Sequence, residues 1–278
     1  AARHFRLEDE IGSITPGRKA DILLVDSLEE MEPTAVFYEG RMVAQRGGLV
    51  AECPVREYPA WIMDTVHLKK PITAASFALP TKVAGHKAKV WAIGLIDRQI
   101  INHRILAEVP VVDGALRQDV EADLLKLAIV ERYGKNGNVG VGFVRGFGLQ
   151  KGAIAFSTSH DHHNIAVAGT NDEDIALAVN EVARLHGGLA VASDGRVRAG
   201  MCLPIGGLMS EKGAEAVMAE LDEVNRAAME LGCPLPAPFM TLSFISLPTV
   251  PELGLTDLGL VDVLAHKIIP LEAEEPEA

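Results

Sequence analysis

The stretch KGAIAFSTSHDHHNIAVAGTNDED, residues 151–174, decides the fold of the central part of the chain. Its apolar runs at 153–156 and 165–168 predict two buried strands. The acidic residues that end the stretch predict the first turn of a helix over 172–186. The loop between the strands, SHDHHN at 159–164, holds three of the nine histidines beside a carboxylate and a carboxamide. This concentration of titratable groups indicates a functional site, and the alternative is a polar turn whose histidines are only solvated.

Hydrophobic periodicity predicts further strands and helices on both sides of this stretch. Apolar residues at helical spacing predict a helix over 119–133 that ends at Gly134, and a longer helix over 210–231 that ends at Gly232. The predicted strands are 20–26, 36–38, 41–44, 90–96, 105–112, 189–192 and 196–203, with turns at 39–40, 113–114 and 193–195.

These elements predict an α+β fold, because strands and helices alternate irregularly and several connections are hairpins. The predicted organisation is a small β-rich segment at 1–52, a proline-rich connecting segment at 53–82, a mixed α/β domain at 83–271 and a disordered acidic tail at 272–278. No internal repeat is visible in the sequence.

Composition limits the classes of partner. Of the 278 residues 48% are hydrophobic, so the chain can bury a core without disulfides. The net charge of -12 argues against binding nucleic acids or anionic membranes, since both attract positive charge. The cysteines, Cys53, Cys202 and Cys233, are isolated, which favours a reducing compartment. Without a membrane-length apolar run or a signal-peptide pattern, we expect a cytoplasmic protein.

The histidine-rich loop suits two kinds of chemistry. Neutral imidazoles and a carboxylate are ligands for zinc, manganese or iron, and a histidine beside a carboxylate is also a general acid or base near neutral pH. On an extended segment His160 and His162 face one side while Asp161 and His163 face the other, so the four converge only in a turn. A complete metal site from this loop alone is therefore not predicted. The H-x-E and P-C-x-x-C signature of cytidine-type deaminases is absent.

Two glycine-containing loops are further candidates. The run 137–148 has the wrong spacing for a nucleotide-binding fingerprint, so its glycines are expected to permit close backbone approach. Arg145 in that run is a ligand contact or a structural ion pair. Residues 206–207 precede a predicted helix, where they offer N–H groups to a ligand or form a tight turn with Ser210 as the N-cap. The apolar stretch 238–244 is a buried strand or a wall of an apolar pocket.

Several long motifs resemble one family, the adenine deaminases of the amidohydrolase superfamily. These motifs are GSITPGRKADILLVD at 12–26, EGRMVA at 39–44, GFVRGFGLQKGAIA at 142–155, SHDHHNIAVAGTNDEDIALAVN at 159–180, PIGGLMS at 204–210 and PFMTLSFISLPTVPELGLTDLGLVDV at 238–263. The first two are similar to the small β-domain after an amidohydrolase barrel, and the others to the C-terminal half of adenine deaminases. They occur in the family's order, over residues 1–271. The family has serine where this chain has His162, which implies that His162 is an outward-facing bystander.

The resemblance implies a hydrolase that converts adenine to hypoxanthine and ammonia in purine salvage. It also implies a C-terminal half without the metal-binding barrel, because this chain has no His-x-His pair near its start. A binuclear manganese or iron centre would then be held by that barrel, present in cis or as a separate chain, rather than by residues of this chain. The chain would be a fragment or one half of a split enzyme, inactive by itself, with adenine as its substrate and a homo-oligomeric state.

The site residues that the resemblance implies lie in three of the motifs. The implied catalytic residues are His160, Asp161 and His163, and the implied substrate-binding residues are Asn164, Arg145 and Ser210. Two other functions stay open, a non-catalytic purine-binding or oligomerisation domain and a stand-alone metalloprotein. Without the strands of the missing portion, the edge near residues 22–25 would be unpaired, so we expect the N-terminal region to self-associate or to be unstable.

Overall fold

The computed structural model describes residues 1–52, 57–96 and 98–273. The chain forms two compact units, Ala1–Glu57 and Tyr58–Ala278. Cys53 and most of the predicted acidic tail lie outside the described residues, so the expected disorder of that tail stays a prediction. Within the described ranges, every helix is too short or too polar to cross a membrane.

The N-terminal unit is one antiparallel sheet. Its strands are β1 (Ile22–Val25), β2 (Pro33–Tyr38), β3 (Arg41–Gln45) and β4 (Gly48–Leu49), in the order β1-β2-β3-β4. The hairpin predicted at 39–40 is confirmed between β2 and β3. Among the described residues of this unit only Ala35 is buried. Within residues 1–52, β1 pairs with β2 alone, so the outer edge of β1 has no strand partner there.

Among its described residues, the second unit contains helices and twelve further strands. Its helices are α1 (Ala60–Met63), a 3₁₀ helix (Ala74–Phe77), α2 (Asp172–Arg184), α3 (Ala214–Glu230) and α4 (Pro238–Ile245). Its strands are β5 (Lys87–Leu95), β6 (Asn102–Val112), β7 (Ala115–Leu116), β8 (Leu124–Val130), β9 (Val139–Arg145), β10 (Ala153–Phe156), β11 (Ile165–Gly169), β12 (Gly188–Ser193), β13 (Arg196–Cys202), β14 (Leu253–Thr256), β15 (Gly259–Asp262) and β16 (Lys267–Ile269). The mixture of helices and strands confirms the predicted α+β class.

A nine-stranded sheet in the order β13-β12-β10-β11-β8-β9-β5-β6-β7 forms the centre of this unit. Its neighbouring strands are antiparallel except β5 and β9, which run parallel. Helix α2 and the 3₁₀ helix cover one face of the sheet. Helices α3 and α4 and the small β14-β15-β16 sheet cover the other face. The central strands β8, β10 and β11 are therefore buried on both sides.

The prediction of a helix over 119–133 is wrong, because this segment contains the central strand β8. All seven residues of β8 are buried. Leu125, Leu127 and Ile129 contribute to one hydrophobic cluster, while Ala128 and Val130 contribute to the cluster on the opposite face. A strand covered on both faces loses the alternation of apolar and polar residues, and its apolar run then fits helical spacing equally well.

A buried ion pair fixes the start of α2 to the sheet. Asn171 caps this helix through its side-chain oxygen, which accepts from the Asp174 N–H at 2.7 Å, in agreement with the predicted helix start. Lys126 on β8 is fully buried, and its Nζ lies 2.6 Å from the Asp172 carboxylate and 3.0 Å from the Phe77 carbonyl. Burial lowers the pKa of Lys126, against the effect of its hydrogen bond to Asp172.

Three predicted boundaries differ in the structure. Helix α3 begins at Ala214 with Gly213 at its N-cap, so Ser210 is not the cap. The stretch 238–244 is part of helix α4 rather than a strand, because Pro238 occupies a first-turn position that suits proline. Part of the predicted connecting segment belongs to the core of the second unit, where Ile72 and Phe77 are buried in the α2 cluster.

The C-terminal residues that the structure describes cover part of the edge of β5. The Trp91 N–H donates to the Leu271 carbonyl, and the Ala273 N–H donates to the Lys89 carbonyl, each at 2.9 Å. Between them, the Glu272 carboxylate accepts from the Thr81 hydroxyl at 2.9 Å. These contacts extend the sheet by a short additional segment.

Candidate functional site

The loop 158–164 connects β10 to β11 and is held in place by the end of α4. The hydroxyl oxygens of Ser159 and Ser246 lie 2.5 Å apart, and both residues are buried. The Ser246 hydroxyl lies 3.3 Å from the carbonyl of His160. The His163 N–H donates to the Ser159 carbonyl at 2.9 Å, so the loop forms a turn rather than an extended segment. In a turn, the side chains of residues 160–163 do not alternate between two faces as they would on an extended segment.

His162 faces the protein and is not an outward-facing bystander. Its Nδ1 accepts a hydrogen bond from the Asn164 N–H at 3.0 Å. The other ring nitrogen, Nε2, therefore carries the proton and donates to the Ser246 carbonyl at 3.3 Å. Burial lowers the pKa of His162. A neutral His162 with this tautomer thus ties the turn to α4, and histidine can do so because both of its nitrogens are used.

Asn164 crosslinks the loop to its neighbours through a buried carboxamide. Its Oδ1 lies 3.3 Å from the Arg132 backbone N–H, and its Nδ2 lies 3.4 Å from a carboxylate oxygen of Asp257. The second Asp257 oxygen accepts from the Asn138 side chain at 3.3 Å. The Tyr133 hydroxyl donates to the His162 carbonyl at 2.6 Å. The Asn164 side chain is thus engaged in bonds that fix the loop to Arg132 and Asp257.

Three titratable residues of the loop, His160, Asp161 and His163, are less constrained by hydrogen bonds. The His160 ring stacks on Phe244, with 4.9 Å between ring centroids and 12° between planes. The Nδ1 atoms of His160 and His163 are both buried and have no hydrogen-bond partner among the described residues. Asp161 is exposed. Two imidazole Nδ1 atoms, close in sequence to an exposed carboxylate, are thus not engaged in hydrogen bonds to the described residues.

A cavity of about 640 Å³ lies beside the loop, between β12, β13, α3 and α4. His160 and Ser210 both line it, so the structure brings together two of the residues expected to form a site. Most of its lining is apolar and comes from leucine, methionine, valine and phenylalanine side chains. Phe239 and Met240 belong to this lining, which agrees with the alternative that 238–244 forms a pocket wall.

Arg145 does not share a location with these residues. It is exposed at the C-terminal end of β9, where it pairs with Leu124. The loop instead leads into β11 at the level of the other end of β9, since Val139 pairs with Val130, and Val130 pairs with Ile165. Six residues of strand separate Arg145 from Val139, a distance of about 20 Å.

Sequence reasoning missed Arg132, which supports the 204–210 loop from beneath. Its side chain is only 2% exposed, and its Nη2 donates to the Gly206 carbonyl at 3.0 Å. The Ser157 hydroxyl donates to the Gly207 carbonyl at 2.6 Å. Gly207 has a φ of +72°, and a Cβ there would overlap Nη1 of Arg132. The sequence signal that could have identified Arg132 is the charged pair Glu131-Arg132, which directly follows the apolar run of β8.

Sequence reasoning also missed Asn225 and Thr158, which line the cavity as polar groups. Asn225 follows Val217 and Leu221 at four-residue spacing on α3, so it interrupts a stripe that is otherwise apolar. A polar residue on the inward face of a helix was the signal that could have found it.

The described residues do not fit a metal centre of this chain's own. Nowhere in the ranges 1–52, 57–96 and 98–273 do three His, Cys, Asp or Glu side chains lie close enough together to hold an ion. His162 already uses both ring nitrogens for hydrogen bonds, one within the loop and one to Ser246 at the end of α4.

Comparisons with known proteins agree with the motifs. The model of the adenine deaminase C-terminal domain matches residues 99–267. The adenine deaminase of Desulforamulus reducens is 54% identical over 98% of this chain and 46% of its own length. That of Moorella thermoacetica is 44% identical over 97% of this chain and 45% of its length, and that of Dehalococcoides mccartyi strain CBDB1 is 41% identical over 98% and 46%. The chain thus spans about half the length of these relatives, and it belongs to the adenine deaminase C-terminal domain family.

Proposed function

We propose that this chain is the C-terminal portion of an adenine deaminase, which hydrolyses adenine to hypoxanthine and ammonia. The observation that carries the proposal is the match of nearly the whole chain to proteins named adenine deaminase, at up to 54% identity among those compared. Those relatives extend well beyond the matched part. An additional portion, in cis or as a separate chain, would supply the barrel.

The metal of the reaction, manganese or iron, would be held by that additional portion. The described part of this chain has no group of three candidate ligands. No step of the reaction is therefore assigned to a metal on this chain. By itself the chain is expected to be inactive towards adenine.

Within the deaminase, His160, Asp161 and His163 would handle protons. Deamination adds water to the purine and releases its amino group, so protons must move from the water to the leaving nitrogen. Imidazole and carboxylate side chains without protein partners are suited to that task near neutral pH. The unpartnered Nδ1 atoms of His160 and His163 support this role.

The other residues have different parts in the proposal. Asn164 and His162 would position the loop, since their polar atoms bond to Arg132, to Ser246 and to each other. Ser210 would contact substrate, because it lines the same cavity as His160. The distance of Arg145 from the loop gives no support to a substrate-binding role for that residue.

The cellular setting follows as a further part of this proposal. Cys202 and Cys233 carry free thiols, and burial raises the pKa of both, which suits a reducing cytoplasm. The unpaired edge of β1 is an available surface for self-association, so we also propose a homo-oligomer.

The test is ammonia release from adenine by the intact enzyme, in which this chain is joined to the barrel. We expect His163→Ala to lower kcat/KM about 100-fold or more. The matched control is His86→Ala, since His86 is exposed and distant in sequence from the loop. An unchanged kcat/KM for His163→Ala would rule out its proton-handling role. Ammonia release by the 278-residue chain alone with Mn²⁺ would show that the chemistry resides here, contrary to the proposal.

A further inference from the structure

The cavity beside the histidine-rich loop has a chemically specific lining. One wall is the inward stripe of α3, where Val217, Leu221 and Asn225 follow one another at four-residue spacing. The opposite wall is the sheet face at β12 and β13, with Leu189 and Met201. A cavity of about 640 Å³ with mostly apolar walls falls within the usual range of small-molecule sites.

Charge is missing from this lining. Within the described part of the chain, none of the residues that border the cavity is Asp, Glu, Lys or Arg. A phosphate or carboxylate placed there would lose its hydration without gaining a counter-charge, which is costly. The cavity therefore favours an uncharged molecule over a nucleotide.

Two polar side chains in the lining have unused hydrogen-bonding capacity. Asn225 and Thr158 line the cavity, and neither side chain has a hydrogen-bond partner among the described residues. Asn225 is half-buried on a helix face that otherwise packs inward. A carboxamide offers an acceptor and two donors side by side, which is the pattern that matches the edge of a nucleobase.

The shape of the wall at His160 suits a flat ligand. His160 borders the cavity, and its imidazole is held in place by stacking on the ring of Phe244, a residue outside the lining. Phe239 adds a second aromatic ring to the lining. Aromatic side chains of this kind contribute stacking with planar heteroaromatic rings.

From these observations we propose that this cavity binds an uncharged purine base and that Asn225 determines its specificity by hydrogen bonds to the edge of the base. The choice of a purine rests on the proposed function, whereas the uncharged and planar character rests on the lining. Because a carboxamide can rotate to present donor or acceptor, substrate and product both match it: adenine offers an amino group and a ring nitrogen, and hypoxanthine offers a carbonyl and a ring N–H.

The experiment is equilibrium dialysis of the 278-residue chain with labelled adenine, hypoxanthine and adenosine 5′-monophosphate. We expect both bases to bind and the monophosphate to bind at least about tenfold more weakly, because its phosphate finds no counter-charge. Equal binding of the monophosphate and adenine would overturn the assignment of an uncharged ligand. Failure of both bases to bind would overturn the site.

Two variants locate the binding in the cavity. Asn225→Leu keeps a similar side-chain size but removes the donors and acceptor, and we expect it to weaken base binding about tenfold. Leu221→Trp fills the cavity and should abolish binding. The control is Glu223→Gln, an exposed change on the same helix that should leave binding unchanged. Each variant is first compared with the parent chain by thermal unfolding, and binding that survives Asn225→Leu in a folded chain would overturn the role of Asn225.

Failure of this inference is distinguishable from failure of the proposed function. If the intact enzyme releases ammonia from adenine while the 278-residue chain binds no base, only the cavity assignment is wrong. If the chain binds the bases and Asn225→Leu weakens that binding, the site stands even where the intact enzyme acts on another substrate.

Discussion

The two compact units of this chain are both rich in β-structure, yet they differ in what lies behind their strands. In the N-terminal unit, Ala35 is the single buried residue among those described, and Leu23 and Leu24 of β1 are 53% and 49% exposed. In the second unit the central strand β8 is buried along its entire length. Regular hydrogen bonding between strands therefore occurs here with and without a hydrophobic core.

The sheet of the N-terminal unit is therefore not stabilised by apolar packing within that unit. Backbone hydrogen bonds contribute little net free energy when water competes for the same groups, whereas burial of apolar area supplies most of the stability. Small isolated sheets without a covered apolar face are marginal in water. Leu23 and Leu24 of β1 are the exposed apolar surface that a covering segment would bury.

The largest expected effect is a difference in amide hydrogen exchange between the two units. Amides of β8, β10 and β11 should exchange only through global unfolding, which for domains of this kind costs about 5–15 kcal/mol. Amides of β1 to β3 should exchange through local opening at free energies near zero. Mass spectrometry of peptides after exchange measures both in one sample, at several chain concentrations.

Chain concentration is the control in this measurement. Protection of residues 21–43 that rises with concentration would reveal self-association through the β1 edge. Strong protection of the same residues in a dilute, monomeric sample would break the comparison, since the N-terminal sheet would then be stable by itself.

A smaller effect is expected from breaking the buried ion pair of the second unit. Asp172→Asn leaves the fully buried Lys126 without its carboxylate, and we expect a loss of about 3–5 kcal/mol in the free energy of unfolding. Urea denaturation followed by circular dichroism measures this. The matched control is Glu108→Gln, which removes the partner of Lys87 in an exposed pair at 3.6 Å and should cost under about 1 kcal/mol. Equal losses for the two variants would show that the interior of the second unit is more hydrated than its burial implies.

The smallest effect is a pH dependence confined to the second unit. Burial lowers the pKa of His162 below its ordinary value of 6.5. Just below pH 6.5, His162 therefore takes up a proton in the unfolded chain while it stays neutral in the folded chain. The stability due to this residue is then complete above pH 6.5 and is lost as the pH falls towards the folded-state pKa. Urea denaturation between pH 7 and 5 measures the loss, and His162→Gln should reduce it. A variant with the same pH dependence as the parent would exclude this role for His162.

How far the fold was predictable depends on where each element lies. Helix α2 was predicted correctly because its signals are local: Asn171 caps it, acidic residues follow, and an apolar stripe continues. Strand β8 was not, because its uninterrupted apolar run reflects two covered faces that only the tertiary structure supplies. Helix α4 is likewise apolar around most of its circumference, so its sequence lacks the periodicity that indicates a helix.

The candidate site was predictable in its centre and not in its surroundings. The clustering of His160 to Asn164 along the sequence was enough to locate the loop. Ser210 and Asn225 line the same cavity as His160 because of the way α3 packs on the sheet. Residue spacing along the chain carries no information about this packing. The distance between Arg145 and the loop depends on the antiparallel register of β8 with β9 and β11, which places Arg145 and the loop towards opposite ends of these strands.

The short segment that runs beside β5 sets a limit for protein engineering. The bonds from Leu271 and Ala273 satisfy backbone groups of Trp91 and Lys89 that would otherwise be open on that strand. A shortened version made for crystallisation should therefore retain Ala273, and an affinity tag should follow a flexible spacer placed after it. Shortening the chain to residue 270 would leave these backbone groups of β5 without partners. The better-packed unit would then also expose an unpaired strand edge, which promotes association between chains and would lower the yield of soluble material.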